Sequence, residues 1–577
     1  MFDITQSNEH ENVLHCDVLI VGSGAAGLTA AAATEGLNTI LIEKQSHVGG
    51  TTFRSGGTIW MPNNYLMQSW RIHDSKELGE RYVNAGLQQT SSATSGALPE
   101  TQRRIKAFLS DGPKMIDYLR TEGFKWMNYP SSFPDYHPEL DGALDHAGRT
   151  LDPAIFDATS LGSWERLLPA EDASLLVFRF QDFRVLTRPW ASIRDVLHVG
   201  WMALKSKVYS IFYNSPMSMG RSLVAQLLSI CHRHKNVRIF TETEFVALWH
   251  KNGNIIGGTV KRGNVTFKIR ASRGVLFATA GFSRNQQLRE KYLKSTNKQW
   301  SLSCPEGDTG DALRLTKRVA ADAALLGEVW GIPTMKDPIT GHTAEAMFAI
   351  SKPHSIVVSK DGNRFFAESK PYGDAVRSMY TQAGDDDCCA WLILDENYRR
   401  RYTLGCLQPW ADATEFLQDG IFMRAETIAD LGKKMGIDGG ALEKTVARWN
   451  AMCDLGVDLD YQRGGDAYQR FIGDPSAKPN PCMGRVGSGP FYSIKIFPGD
   501  AGTKGGLRID ESGRVLRADG SPIPGLYAAG NASVSFFEHC SLGAGVTIGP
   551  AMKDGFAAVR HMLSRGLLGA REPQEPL

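Results

Sequence analysis

Apolar residues fall in short unbroken blocks along this chain, and the residues that stop each block set its meaning. Val18-Leu19-Ile20-Val21 ends on Gly22-Ser23-Gly24, and an Ala-rich stretch starts at Ala25. A short apolar block stopped by glycines and followed by good helix formers predicts a buried strand, a tight turn and a helix. A second block, Thr39-Ile40-Leu41-Ile42, ends on Glu43. Val237–Thr243 predicts a strand, Gly253-Asn254 a turn into the strand holding Ile255, Ile256 and Val260, and Gly274–Gly281 a buried strand ending on small residues. Near the other end Ile523–Ala529 runs into Gly530-Asn531. The pattern predicts an α/β fold.

The turn after the first block carries chemistry. Gly22 permits the tight strand-to-helix turn, Gly24 lets the backbone approach a pyrophosphate, and Gly27 lets helix and strand pack closely. Glu43, at the tip of the second strand, is placed to accept ribose hydroxyls and disfavours a 2′-phosphate, which points to FAD or NAD rather than NADP. The phosphates belong on the helix N-terminus, where free N–H groups and the dipole favour an anion. A second glycine-rich stretch, Val48-Gly49-Gly50-Thr51-Thr52 with Arg54-Ser55-Gly56-Gly57, exceeds what a plain NAD fold needs. A flavin needs it, because the isoalloxazine is reached by further backbone passes.

The C-terminal strings Ile523-Pro524-Gly525-Leu526-Tyr527-Ala528-Ala529-Gly530-Asn531 and Gly543-Ala544-Gly545-Val546-Thr547-Ile548-Gly549-Pro550 resemble the second FAD contact of the fumarate reductase/succinate dehydrogenase-like flavoproteins. The resemblance implies a Rossmann-like FAD-binding domain, discontinuous in sequence, with an inserted α+β cap. The expected layout is 1–332 for the first part of the FAD domain, 333–500 for the catalytic or substrate domain and 501–577 for the return. It implies FAD contacts from Gly22, Ser23, Gly24, Ala25, Ala26, Gly27, Glu43, Lys44, Gly50, Thr51, Thr52, Ser55, Gly56 and Gly57. Further along, Phe245, Ala280, Gly281, Asp311, Gly530, Asn531, Gly545, Thr547 and Ile548 are implied too.

Composition narrows the class without changing it. A 577-residue chain with net charge +2 and pI near 8.0 gives no field suited to nucleic acid. Nine cysteines lie scattered, the only close pair being Cys388-Cys389, with no metal-ligand spacing; a reducing, cytoplasmic setting is expected and no metal. The polar, acidic N-terminus is not expected to be a signal or transit peptide. No apolar run approaches bilayer-spanning length.

Four further strings sharpen the resemblance. Thr58-Ile59-Trp60-Met61-Pro62-Asn63-Asn64, Phe133-Pro134-Asp135-Tyr136, Arg364-Phe365-Phe366-Ala367-Glu368 with Pro371-Tyr372, and Pro498-Gly499-Asp500-Ala501-Gly502-Thr503-Lys504-Gly505-Gly506 are similar to the 3-ketosteroid dehydrogenases, over nearly the whole chain outside residues 180–215. The family implies Tyr372 as a catalytic base, Tyr136 as its partner, Gly545 as a donor to the ketone, and Phe133, Tyr136, Tyr372 and Tyr492 around a 3-ketosteroid. The chemistry wants such groups. Loss of an unactivated hydrogen as hydride becomes feasible when the neighbouring carbon, alpha to the carbonyl, gives up a proton while donors stabilise the oxygen.

One position departs from the Δ1 pattern. The family tyrosine four residues ahead of the loop glycine is here Ser541, so either Ser541 donates through water, His539 or Tyr492 fills in, or the ketone sits as in Δ4-type enzymes. A fumarate- or urocanate-type ene-reductase is the rival class. The electrons are expected to pass to an external, quinone-like acceptor. Residues 183–216 interleave Phe183, Trp190, Ile193, Leu197, Trp201, Leu204, Val208, Ile211 and Phe212 with Arg184, Arg188, Arg194, Lys205 and Lys207 at near-helical spacing. That suits an amphipathic helix on a membrane surface or one packed on the body or a partner.

Overall fold

The computed structural model describes residues 13–90, 98–170, 176–295, 297–304, 307–383, 390–412 and 422–564. The polar N-terminal segment and the Cys388-Cys389 pair lie outside them. The first apolar block becomes β1 (Val13–Val21), followed by α1 (Ala25–Ala32) and β2 (Thr39–Ile42). The amphipathic stretch forms α2 (Ile193–Phe212). After it come β3 (Val237–Phe240), β4 (Thr243–Lys251), β5 (Asn254–Arg262) and β6 (Val265–Phe277). The chain then builds β7 (Val329–Lys336), β8 (Thr343–Glu345), β9 (Ser355–Val358), α3 (Tyr372–Ala383), β10 (Ala390–Leu394), β11 (Phe422–Ala425) and β12 (Phe491–Thr503). It returns through β13 (Arg514–Leu516), β14 (Pro522–Ala528) and α4 (Ile548–Ser564).

The first sheet runs β13-β14-β6-β1-β2-β3, with β4 and β5 folded back on β6. β1 is parallel to β6 and β2, β6 to β14 and β2 to β3. Strands in such a sheet are covered on both faces, which explains their unbroken apolar sequences. Val18 and Ile20 pack with α1 and α4, whereas Leu19 and Val21 pack with Ile40, Ile42 and Phe277 on the other side. The carboxyl ends of β1, β2, β6 and β14 therefore open on one crevice, where such sheets bind ligands.

The second sheet, β8-β7-β12-β10-β9 with β11 on β12, is antiparallel. The expected boundaries at 332/333 and 500/501 fall inside β7 and β12. Gly499, Asp500 and Gly502 lie within a single long strand, whose register against β7 shifts beside them. Asp500 at its far end meets Arg289 at 2.6 Å, tying the second sheet to the first half of the chain.

α2 packs by a narrow strip. Asp195 meets Arg188 at 3.2 Å, Ser206 Oγ accepts from Val177 N–H at 2.8 Å, and Met202 is buried. The opposite face leaves Ile193, Leu197, Trp201, Leu204, Val208, Ile211 and Phe212 exposed, Phe212 by 75%. Packing on the body thus accounts for only part of the helix. Among the described residues no helix is long and apolar enough to cross a membrane.

Candidate active site

A cavity of about 270 Å³ occupies the crevice. Two glycines bring its walls together. Gly22 sits at φ +102°, and a Cβ there would lie 2.4 Å from Ala278 O; a Cβ on Gly27 would lie 2.0 Å from Gly22 O. Glu43 is locked at the rim, with Oε2 accepting from Ser23 N–H (3.0 Å) and Ser23 Oγ (2.6 Å) and Oε1 from Gln45 N–H (3.0 Å). Lys44 Nζ bonds Asp311 at 2.8 Å and Thr309 at 2.6 Å, closing one edge.

Most of the expected cofactor contacts line this cavity. Gly22, Ser23, Gly24, Ala25, Ala26, Glu43, Lys44, Gly50, Thr51, Thr52, Ser55, Gly56, Gly57, Phe245, Ala280, Asp311, Gly530, Asn531, Gly545, Thr547 and Ile548 all reach it. Gly27 and Gly281 stand one layer back, Gly281 against Thr503. The set fits FAD: a bare backbone turn at the N-terminus of α1 for the pyrophosphate, a fixed carboxylate for the ribose, and walls from both ends of the chain. Phe180 and Cys304 also line it and carry no motif. Phe180 stacks on Phe133 with centroids 5.3 Å apart, so Phe133 supports the wall from behind.

Tyr136 and Tyr372 meet in the same wall. Tyr136 Oη–H donates to Tyr372 Oη at 3.2 Å, across 236 positions of sequence. Tyr136 is held by a buried network: Trp60 Nε1–H and Arg149 both bond the neighbouring Asp135 carboxylate, at 2.8 and 2.7 Å, and Arg149 also bonds Asp74 at 2.7 Å. Its backbone N–H donates to Leu542 O at 3.0 Å, stitching it to the Ser541–Gly545 loop. Tyr372 opens α3. The turn before it is fixed by Arg364, which forks onto Glu368 (2.9 and 2.8 Å) and Asp458 (2.9 Å). Gly545, at φ +97°, lies where a Cβ would come within 2.6 Å of Ile59 Cα, so its N–H is carried by a turn that no side chain fits.

Burial raises the Tyr372 hydroxyl above its ordinary value, and the hydrogen bond from Tyr136 and the nearness of Ser541 offset this only in part. Tyr136 is pushed well above the usual phenol range, first by burial and then by Tyr372. Ser541 Oγ is buried and closes no hydrogen bond among the described residues. The two substitutes for the missing tyrosine are placed elsewhere. His539 pairs with Glu328 at 3.0 Å. Tyr492, expected near the substrate, bonds Glu396 at 3.2 Å and stacks on Phe422 in the core of the second sheet, and it is not among the residues lining the cavity.

The family model described as FAD binding domain matches residues 17–548. A 3-oxosteroid 1-dehydrogenase of Mycobacterium tuberculosis is 37% identical, over 95% of this chain and 98% of that protein. This chain belongs to the FAD-dependent 3-oxosteroid 1-dehydrogenase family. Within the family, the crystal structure of a 3-ketosteroid Δ1-dehydrogenase from Sterolibacterium denitrificans in complex with 1,4-androstadiene-3,17-dione is 32% identical, with TM-score 0.85, covering 95% of this chain and 99% of that one. A 4-oxocyclohex-2-ene-1-carboxylate 5-dehydrogenase of Sinomonas cyclohexanicum is 31% identical over 98% of this chain and 96% of that protein. The protein is an FAD-dependent oxidoreductase of this dehydrogenase type, and FAD, when bound, would supply a hydride acceptor.

Proposed function

We propose that the protein desaturates ring A of a 3-oxosteroid at the Δ1 position. The observation that carries this reading is the Tyr136–Tyr372 hydroxyl pair, 3.2 Å apart in the wall that also holds Gly545. Tyr372, once ionised, takes the proton alpha to the ketone, Tyr136 donates to the Tyr372 oxygen and so favours that ionised form, and the Gly545 N–H polarises the ketone. Phe180, with Phe133 behind it, keeps water from the reacting carbons. The described residues lining the cavity include no Arg or His, the groups that a carboxylate clamp would need, which speaks against an ene-reductase of the fumarate type and against a small keto acid. Ser541 keeps the Δ4 alternative in view. A 4-ene-3-one steroid separates the two, since its Δ4 bond already exists: accumulation of a 1,4-dien-3-one supports the proposal, and an inert 4-ene-3-one beside a reactive saturated ketone overturns it.

Ser541 is assigned no donor role. A short hydroxyl on a glycine-rich loop reaches less far than a phenol, so Ser541→Ala should leave turnover within about threefold. A loss of about tenfold or more at unchanged flavin content, the cost of an oxyanion donor, would make Ser541 catalytic.

The exposed face of α2 supports docking on an anionic lipid surface, where a steroid and a quinone-like external acceptor both partition. Its only acid, Asp195, is turned inward to Arg188, while Arg194, Lys205 and Lys207 flank the apolar stripe. Phe180, in the short turn that precedes this segment in the chain, lines the cavity. Vesicles of mixed neutral and anionic phospholipid should sediment the protein, and Leu197→Glu with Trp201→Glu should release it with turnover of dissolved steroid unchanged. Equal sedimentation of both proteins would refute the docking.

A further inference from the structure

Tyr136 lines two cavities. Besides the cofactor crevice it reaches a second, polar cavity of about 300 Å³, open to solvent, on the far side of the turn that carries Tyr372. The next residue, His137, lines that second cavity, with Nδ1 3.3 Å from Glu139 and Nε2 3.5 Å from Asp374. Asp374 stands two residues after Tyr372 at the start of α3. The rim is completed by Lys370, Arg377 and Asp466. Nothing in the dehydrogenase reading uses these groups.

We propose that the second cavity is the proton outlet of the reaction, with Tyr136 as the shared wall and His137 as the acceptor on its far side. This rests on the assignment of Tyr372 as the base. Both phenols are buried and resist ionisation, so a standing phenolate at Tyr372 is disfavoured and its proton needs somewhere to go. With both hydroxyls rotated from the arrangement in which Tyr136 donates to Tyr372, Tyr136 releases its hydroxyl proton to water in the second cavity and on to neutral His137, while Tyr372 passes its own hydroxyl proton to Tyr136. Tyr372 then takes the proton from the carbon alpha to the ketone. Each phenol ends with the one proton it began with, one proton has left the substrate carbon for the second cavity, and the hydride departs to the bound FAD. The backbone fixes the geometry: His137 N–H donates to Tyr82 Oη (3.1 Å), and Tyr82 Oη–H donates to the same Leu542 carbonyl that accepts from Tyr136 N–H.

His137 is held toward its protonated form by Glu139 and Asp374, against its burial and the cation of Arg377; Lys370 and Asp466 also face it. Only the neutral ring accepts a proton, so the rate of flavin reduction should rise with pH through the His137 titration. The test is rapid anaerobic mixing of the FAD-loaded enzyme with a 3-ketosteroid across pH, with and without imidazole. Flavin reduction in the unaltered enzyme checks the dehydrogenase reading separately. Given that, His137→Ala should slow reduction about tenfold or more, flatten the rising limb, and regain rate when imidazole enters the enlarged cavity. Glu139→Gln, at a half-exposed side chain that leaves the fold intact, removes a carboxylate that favours the imidazolium, so the limb should move to lower pH. An unchanged rate and pH profile in His137→Ala, a loss that imidazole does not relieve, or an unmoved limb in Glu139→Gln would each overturn the proposal.

Discussion

Tyr372→Phe is expected to lower turnover by about a hundredfold or more, the usual worth of a positioned proton acceptor, with flavin content unchanged. The phenylalanine ring keeps the edge-on contact with Tyr136, whose ring centroid lies 5.4 Å away, and removes only the oxygen. The loss should therefore sit in the rate of flavin reduction and leave steroid affinity nearly as it was. Tyr136→Phe should cost less than Tyr372→Phe but at least as much as His137→Ala, because it removes both a donor to the base and the relay to the second cavity while leaving the base itself. Equal activity in Tyr372→Phe and the unaltered enzyme would remove the assignment of the base.

The second large effect belongs to Gly22. In Gly22→Ala the new methyl group would lie 2.4 Å from Ala278 O at a backbone φ of +102°, a region costing an L residue about 1–3 kcal/mol before the clash is counted. The turn can relieve this only by moving β1 away from β6, which opens the pyrophosphate seat at the N-terminus of α1. The variant should be purified nearly colourless, and FAD added in excess should not restore the yellow absorbance. The unaltered protein should release FAD on acid or heat treatment. Full FAD content in Gly22→Ala would mean that this turn does not seat the pyrophosphate.

Local signals were the ones legible in the sequence. Gly22, Gly24, Gly27 and Glu43 lie within one strand, turn, helix and strand, so spacing alone carries their geometry, and the crevice places them accordingly. Tyr136 and Tyr372 are different: their contact spans 236 positions and depends on Asp135 being gripped by Trp60 and Arg149, which no periodicity reveals; family resemblance singled out the pair. Phe180 was invisible because it lies in the stretch outside that resemblance and enters the wall through stacking on Phe133. Near residue 500 the glycines and the aspartate that usually punctuate loops lie inside one long strand, β12, with a register shift against β7. For α2, spacing showed two faces but not which neighbour covers them. Only the packing reveals that Asp195 and Ser206 face inward while Trp201 and Phe212 face out.

A cavity built in this way should remove a proton and a hydride from a ring beside a ketone. The most direct test is anaerobic mixing of the FAD-loaded enzyme with one equivalent of a 3-ketosteroid, following the flavin absorbance and then identifying the steroid. The flavin should bleach, and the steroid recovered should carry one new double bond at position 1. A flavin that stays oxidised with the 3-ketosteroid, yet is reoxidised by fumarate after chemical reduction, would contradict it.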